Sequence, residues 1–145
     1  MKPTVFIATP ISGFEDENEY GIFRRNIKTS IRRLSKKMII ISELINISDA
    51  TAYESPAMSV EIDLKNIENS SYFVLIYPRK TPTSALIELG YALAKKKKIL
   101  ILTKNQETLP YMLKKIDNVY SNIKISYYSD DCNIENNISN FVSKV

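Results

Sequence analysis

The sequence predicts an α/β fold, a doubly wound five-stranded parallel sheet with helices on both faces. Three observations carry that expectation. Runs rich in β-formers recur along the chain, at Thr4–Ala8, Met38–Leu44, Tyr72–Tyr77, Lys98–Thr103 and Ile123–Tyr127. Helical patterns lie between them. The third run, YFVLIY, is apolar throughout, as befits a strand covered on both faces.

Each element has its own signal. Thr4–Ala8 (TVFIA) ends at Thr9-Pro10, and Ile11–Phe14 follows as a loop. From about Asn18 to Lys37, Tyr20, Phe23, Ile27, Ile31 and Leu34 recur at helical spacing. Arg24, Arg25, Lys28, Arg32, Arg33 and Lys36 fill the opposite face of that amphipathic helix. Asn46–Ser55 is a polar loop. Ser55-Pro56 starts a helix, with Ser as N-cap and Pro at the first helical position, running to about Ser70. After the YFVLIY strand, Pro78–Pro82 is a loop. Ser84–Lys96 is a helix with Ser84 as its N-cap, Glu107–Ile116 a helix, and Ile134–Val145 the last one.

With 145 residues, 44% of them hydrophobic and 25% charged, the chain has the composition of one packed domain, residues 1–145. Its longest apolar run is five or six residues, too short for a membrane span, and its N-terminus lacks a signal-peptide core. Cys132 is the sole cysteine, so an internal disulfide is excluded and a cytoplasmic location is expected. There is no histidine. That excludes Ser-His-Asp and Cys-His nucleophiles and His-ligated metals, and no metal site is expected. The net charge of +4 suits an anionic small molecule. No nucleic-acid-binding motif accompanies it, and nucleic acid is not expected as a partner.

Ligands of such sheets bind beyond the carboxyl ends of the strands. That rule selects the loops Thr9–Phe14, Asn46–Ser55 and Pro78–Ser84. Glu88 follows the last of these, in the first turn of its helix, where the dipole favours a carboxylate. An ionised carboxylate there is placed to attack a sugar anomeric carbon or to stabilise an oxocarbenium ion. Gly90 sits inside the same helix at a cost of roughly 1 kcal/mol against Ala, which points to close packing. Ser12 and Gly13 offer a hydroxyl and backbone N–H groups to a phosphate, and Arg79 and Lys80 offer charge. Thr9 and Ser84 complete the candidate substrate-binding residues, and Tyr53 and Tyr77 are candidates to stack on a base.

Glu88-Leu89-Gly90-Tyr91-Ala92-Leu93 resembles the ELGYA signature of the nucleoside 2-deoxyribosyltransferase family. The likeness covers Glu61 to Thr103 and, more loosely, Val5 to Leu34. It implies that Glu88 is the nucleophile on C1′. In Glu61-Ile62-Asp63-Leu64, Asp63 matches the family's sugar-binding Asp. Where the family carries an Asp or Ser six residues before the nucleophile, this chain has Pro82. Ser84–Leu89 and the early Phe23-Arg24/Ile27 pattern also resemble Toll/interleukin-receptor (TIR) domains, which imply a flavodoxin-like strand order 2-1-3-4-5 and cleavage of NAD. Both resemblances imply chemistry at an N-glycosidic bond, a nucleoside, nucleotide or NAD as substrate, no separate cofactor, and a homo-oligomer. The alternatives are a TIR-like NAD hydrolase or cyclase in anti-phage defence and a non-catalytic nucleotide-sensing module.

Overall fold

The computed structural model describes residues 2–10, 17–42 and 55–143. Five parallel strands form one sheet: β1 (Thr4–Ala8), β2 (Ile39–Ser42), β3 (Tyr72–Tyr77), β4 (Lys98–Thr103) and β5 (Ile123–Tyr127). Their order is β2-β1-β3-β4-β5, the expected flavodoxin-like arrangement. The helices are α1 (Glu17–Leu34), α2 (Pro56–Glu68), α3 (Ser84–Ala94) and α4 (Cys132–Ser143).

Alternation along the strands divides the interior into two cores. Val74 and Ile76 of β3 face one core, beside Val5, Ile7, Leu100 and Leu102. Phe23, Ile27 and Ile31 of α1 and Ile134 and Ile138 of α4 close it. Phe73, Leu75 and Tyr77 face the other, with Phe6, Ala8, Ile99 and Ile101. Ile67 of α2 and Ala85, Leu89 and Ala92 of α3 cover that side. The register sets Phe6 opposite Phe73, and their rings stack with centroids 5.7 Å apart. Being central and covered twice, β3 is buried along its whole length.

Element ends follow from local hydrogen bonds. Ser55 accepts from the Met58 N–H at 3.2 Å and Pro56 opens α2, as the sequence indicates. At α1, the helix stops at Leu34 rather than Lys37, because the Lys36 and Lys37 N–H groups turn to the carbonyls of Arg33 and Leu34. Of the second predicted strand, Ile39–Ser42 is observed; Glu43 and Leu44 lie outside the described residues. The last helix begins at Cys132, two residues before the expected Ile134.

The predicted helix over Glu107–Ile116 is absent. Three 3-10 turns replace it, at Gln106–Thr108, Tyr111–Leu113 and Ile116–Asn118. Pro110 is the physical reason. It disfavours helical backbone at Leu109, which is extended at φ −77°, ψ 145°. Buried Leu109 and Leu113 then pin the connection to the sheet. Among the described residues, no helix is long and apolar enough to cross a membrane.

Candidate active site

The carboxyl edge of the sheet is organised around the end of β3. From β1, the Thr9 hydroxyl donates to the Ile76 carbonyl at 2.9 Å. From β4, the Thr103 hydroxyl donates to the Tyr77 carbonyl at 2.9 Å. Two threonines thus satisfy the last carbonyls of the central strand, where the ladder gives way to the loop. Sequence reasoning selected Thr9 and missed Thr103. The available signal was a threonine closing the KILILT run, in register with Tyr77.

Tyr77 has a further role here. Its ring is only 1% exposed, packed in the core beneath α3. Its hydroxyl donates to the Thr81 carbonyl at 2.6 Å and accepts from the Thr81 N–H at 2.9 Å. The loop 78–83 is therefore clasped onto the strand that leads into it. A ring so buried does not offer a stacking face, which corrects that expectation for Tyr77.

Thr83, not Ser84, is the N-cap of α3, its side chain accepting from the Ala85 N–H at 3.2 Å. Both residue types cap well, and with Thr83 as cap Ala85 and Leu89 of the helix face the core. Ser84 becomes the exposed first residue of the helix. Glu88 consequently falls just past the first turn, which holds no acidic residue. At that depth the helix dipole contributes little at Glu88, since its effect fades beyond the first turn.

Burial is what distinguishes Glu88. It is 6% exposed, as is Asp63 on α2, and these two are the only buried charged residues among those described. Glu88 Oε2 is shielded from solvent. Both carboxylates lie on the sheet-facing sides of α2 and α3, neighbouring helices in one layer. Arg79, in the clasped loop, pairs with Glu19 of α1 at 3.7 Å, which joins two of the three candidate loops' flanks. Lys80 is exposed. Ser12, Gly13 and Tyr53 lie outside the described residues.

Gly90 overturns another expectation. It is exposed, and a methyl built on its Cα meets nothing within 4 Å. Close packing against the described residues does not account for it.

One buried hydroxyl near this edge has no role in the clasp. Tyr128 follows β5, is 3% exposed, and its OH has no hydrogen-bond partner among the described residues. Burial, reinforced by the Asp131 charge, raises its pKa far above the usual phenol value. It belongs to the α1–α4 core, on the opposite side of the sheet from Glu88.

Compared with family models and with curated proteins, the sequence matches none. Solved structures do match in fold. The CMP N-glycosidase BcmB of Clostridium botulinum superposes with a TM-score of 0.69 at 19% identity, covering 94% of this chain and 98% of its own. BlsM gives a TM-score of 0.75 at 19% identity, with coverage of 99% and 91%. A 2-deoxyribosyltransferase from the psychrotolerant bacterium Bacillus psychrosaccharolyticus gives 0.62 at 17% identity, with coverage of 92% and 90%. At these identities the likeness is one of fold, and it spans nearly the whole chain.

Proposed function

We propose that this protein is an N-glycosidase or glycosyl transferase acting on a nucleoside or nucleotide, with Glu88 as the carboxylate at C1′ and Asp63 holding a sugar hydroxyl. One observation carries the reading. The only charged residues buried among those described are the Glu of the ELGYA-like stretch and the Asp of the segment upstream. Two buried carboxylates on adjacent helices that flank a doubly wound sheet support the reading of a functional site. The fold shared with a CMP N-glycosidase and a 2-deoxyribosyltransferase supports the same chemistry.

In this reading the Glu88 carboxylate adds to C1′ as the N-glycosidic bond breaks, and the bonding pair leaves on the base nitrogen. Water or a second base then releases the sugar from Glu88. Asp63 accepts from a sugar hydroxyl and fixes the ring for in-line attack. Pro82 offers no proton to the base, so the leaving group departs with the help of solvent or of its own protonation.

The test is product analysis by chromatography and mass spectrometry. Nucleosides, deoxynucleosides and their 5′-monophosphates are incubated with and without a second base, and NAD is run separately. We expect free base or an exchanged product, reduced at least about a hundredfold by Glu88→Gln, a loss of about 3 kcal/mol or more of transition-state stabilisation. Asp63→Asn should lower turnover as well. Full activity in Glu88→Gln, or no turnover of any of these substrates, would overturn the assignment. Release of nicotinamide alone would move it to NAD.

A further inference from the structure

We propose that a cavity at the amino edge of the sheet binds a small organic anion, a carboxylate carried on a single ring, between Lys98 and Lys124. The cavity lies among the starts of β3, β4 and β5 and the end of α4, with a volume of about 190 Å³. Strand register builds it. Lys98 stands beside Tyr72, and Lys124 beside Leu100. Leu100 and Tyr72 face the α1–α4 core, and Lys98 precedes Leu100 by two residues. Tyr72, Lys98 and Lys124 therefore leave the sheet on the same face. Phe141 of α4 closes the far side, its ring edge-on to Tyr72 with centroids 5.8 Å apart. The Asn122 side chain donates to the Lys97 carbonyl at 2.7 Å and holds the turn that carries Ser121, another lining residue.

Three observations set the chemistry of the ligand. The first is charge. Lys98 and Lys124 are diagonal neighbours on adjacent strands, both exposed, and neither makes an ion pair among the described residues. Among those residues no carboxylate lines the cavity. Two ammonium groups so placed repel one another, and an anion between them offsets that repulsion. The second is a buried donor. Tyr72 is 5% exposed, yet its hydroxyl makes no hydrogen bond among the described residues, and burial alone pushes its pKa up. Buried hydroxyls are as a rule paired, and a carboxylate in this cavity would accept from it. The third is the walls. Tyr72, Ile123 and Phe141 supply apolar surface of the kind that covers a ring. The volume lies below the roughly 300–1,000 Å³ of drug-sized sites, so one ring with its carboxylate is the size admitted. The site is at the opposite end of β3 from the Tyr77 clasp and does not depend on the enzymatic reading.

The test is two-dimensional amide NMR of the full chain, titrated at constant ionic strength with benzoate, with benzamide and with inorganic phosphate. Benzoate should give saturable shifts at residues 121–124 and at Phe141, with a Kd of about 1 mM or tighter. Benzamide keeps the ring without the charge, and phosphate keeps the charge without the ring. Each should bind at least about fivefold more weakly. Lys98→Gln and Lys124→Gln should each weaken benzoate by about fivefold or more, and Tyr72→Phe by about threefold. The same spectra report folding, and if one variant fails to fold the other two decide. No saturable shift at concentrations well above that Kd overturns the proposal. So does benzamide or phosphate binding as tightly as benzoate, or saturation that folded Lys98→Gln and Lys124→Gln both leave unchanged. Shifts centred instead on the carboxyl edge, near Thr83 and Thr103, overturn it as well. The readout is binding rather than base release, so failure of this site and failure of the enzymatic reading are distinguishable.

Discussion

At the scale of single residues, the chain spends its polar side chains unevenly. Thr9, Thr103 and Tyr77 use their hydroxyls on the backbone around β3. Tyr128 does the reverse, burying an OH with no hydrogen-bond partner among the described residues. An unsatisfied buried polar group costs about 1–3 kcal/mol. Tyr128→Phe should therefore raise the stability measured by urea titration, or at least leave it unreduced; a loss of 1 kcal/mol or more, as an order of magnitude, would mean that the hydroxyl is satisfied in solution. Cys132 makes a second residue-level case. It is exposed, yet its thiol pKa is raised, chiefly by the side-chain hydrogen bond with Asp130 and further by partial desolvation and the Asp130 charge. Alkylation at neutral pH should be slower than for an unperturbed thiol, and Asp130→Asn should accelerate it.

At the scale of elements, caps explain the boundaries. The C-terminal end of α3 forms a Schellman pair, the Lys97 N–H donating to the Ala92 carbonyl and the Lys96 N–H to that of Leu93, both at 3.1 Å. Lys96 sits there at φ 55°, a conformation that glycine adopts at lower cost. Lys96→Gly should stabilise the fold by about 1 kcal/mol, read from a thermal or denaturant midpoint. The clasp at the other end of α3 predicts the opposite sign. Tyr77→Phe removes both hydrogen bonds to Thr81, at about 1–2 kcal/mol in stability, and should lower turnover by loosening loop 78–83 without touching Glu88. For α4, the Asp130 carboxylate is held below its ordinary pKa, chiefly by the Cys132 N–H, with further help from the Cys132 side chain. A lowered native pKa stabilises above the ordinary carboxylate range and is lost as the pH falls through the lowered value. Amide exchange in the first turn of α4 should accelerate on acidification over that window, and Asp130→Ala should abolish the pH dependence.

For the whole molecule, the sheet is a partition between two unlike layers. The α1–α4 side is stitched by polar links, Asn26 to Asp131 at 2.9 Å and Arg33 to Glu135 at 3.4 Å. The α2–α3 side holds the buried carboxylates inward and exposes Met58, Val60, Ile62 and Ile87 among charged residues such as Glu61 and Lys65. Its polar ties gather at the far end, where the Lys97 ammonium donates to the Glu68 carbonyl at 2.7 Å and Lys95 reaches Glu68 and the Tyr91 ring. Much of the Lys95–Lys98 run is thus a splice between helices rather than a free cationic patch. Because β3 serves both cores, truncating it should damage the whole fold. Ile76→Ala should cost about 2–5 kcal/mol and shift the denaturation midpoint by fluorescence and circular dichroism alike.

Apolar runs and helical spacing were enough to place five strands and their alternation with helices, because periodicity records which face of each element is apolar. The Ser55-Pro56 start was legible for a similarly local reason: the cap bond spans three residues. Residue identity also singled out Glu88 and Asp63. Contacts between distant segments settled the remainder. Whether Thr83 or Ser84 caps α3, and hence which turn holds Glu88, is not written in residue types that cap equally well. Pro110 and the burial of Leu109 and Leu113 turned an expected helix into 3-10 turns. That Glu88 and Asp63 are buried, that Thr103 faces Tyr77, and that Gly90 stands open were decided by the tertiary structure alone. Burial and hydroxyl partners are set across the sheet by residues far apart in the chain, and no local pattern encodes them.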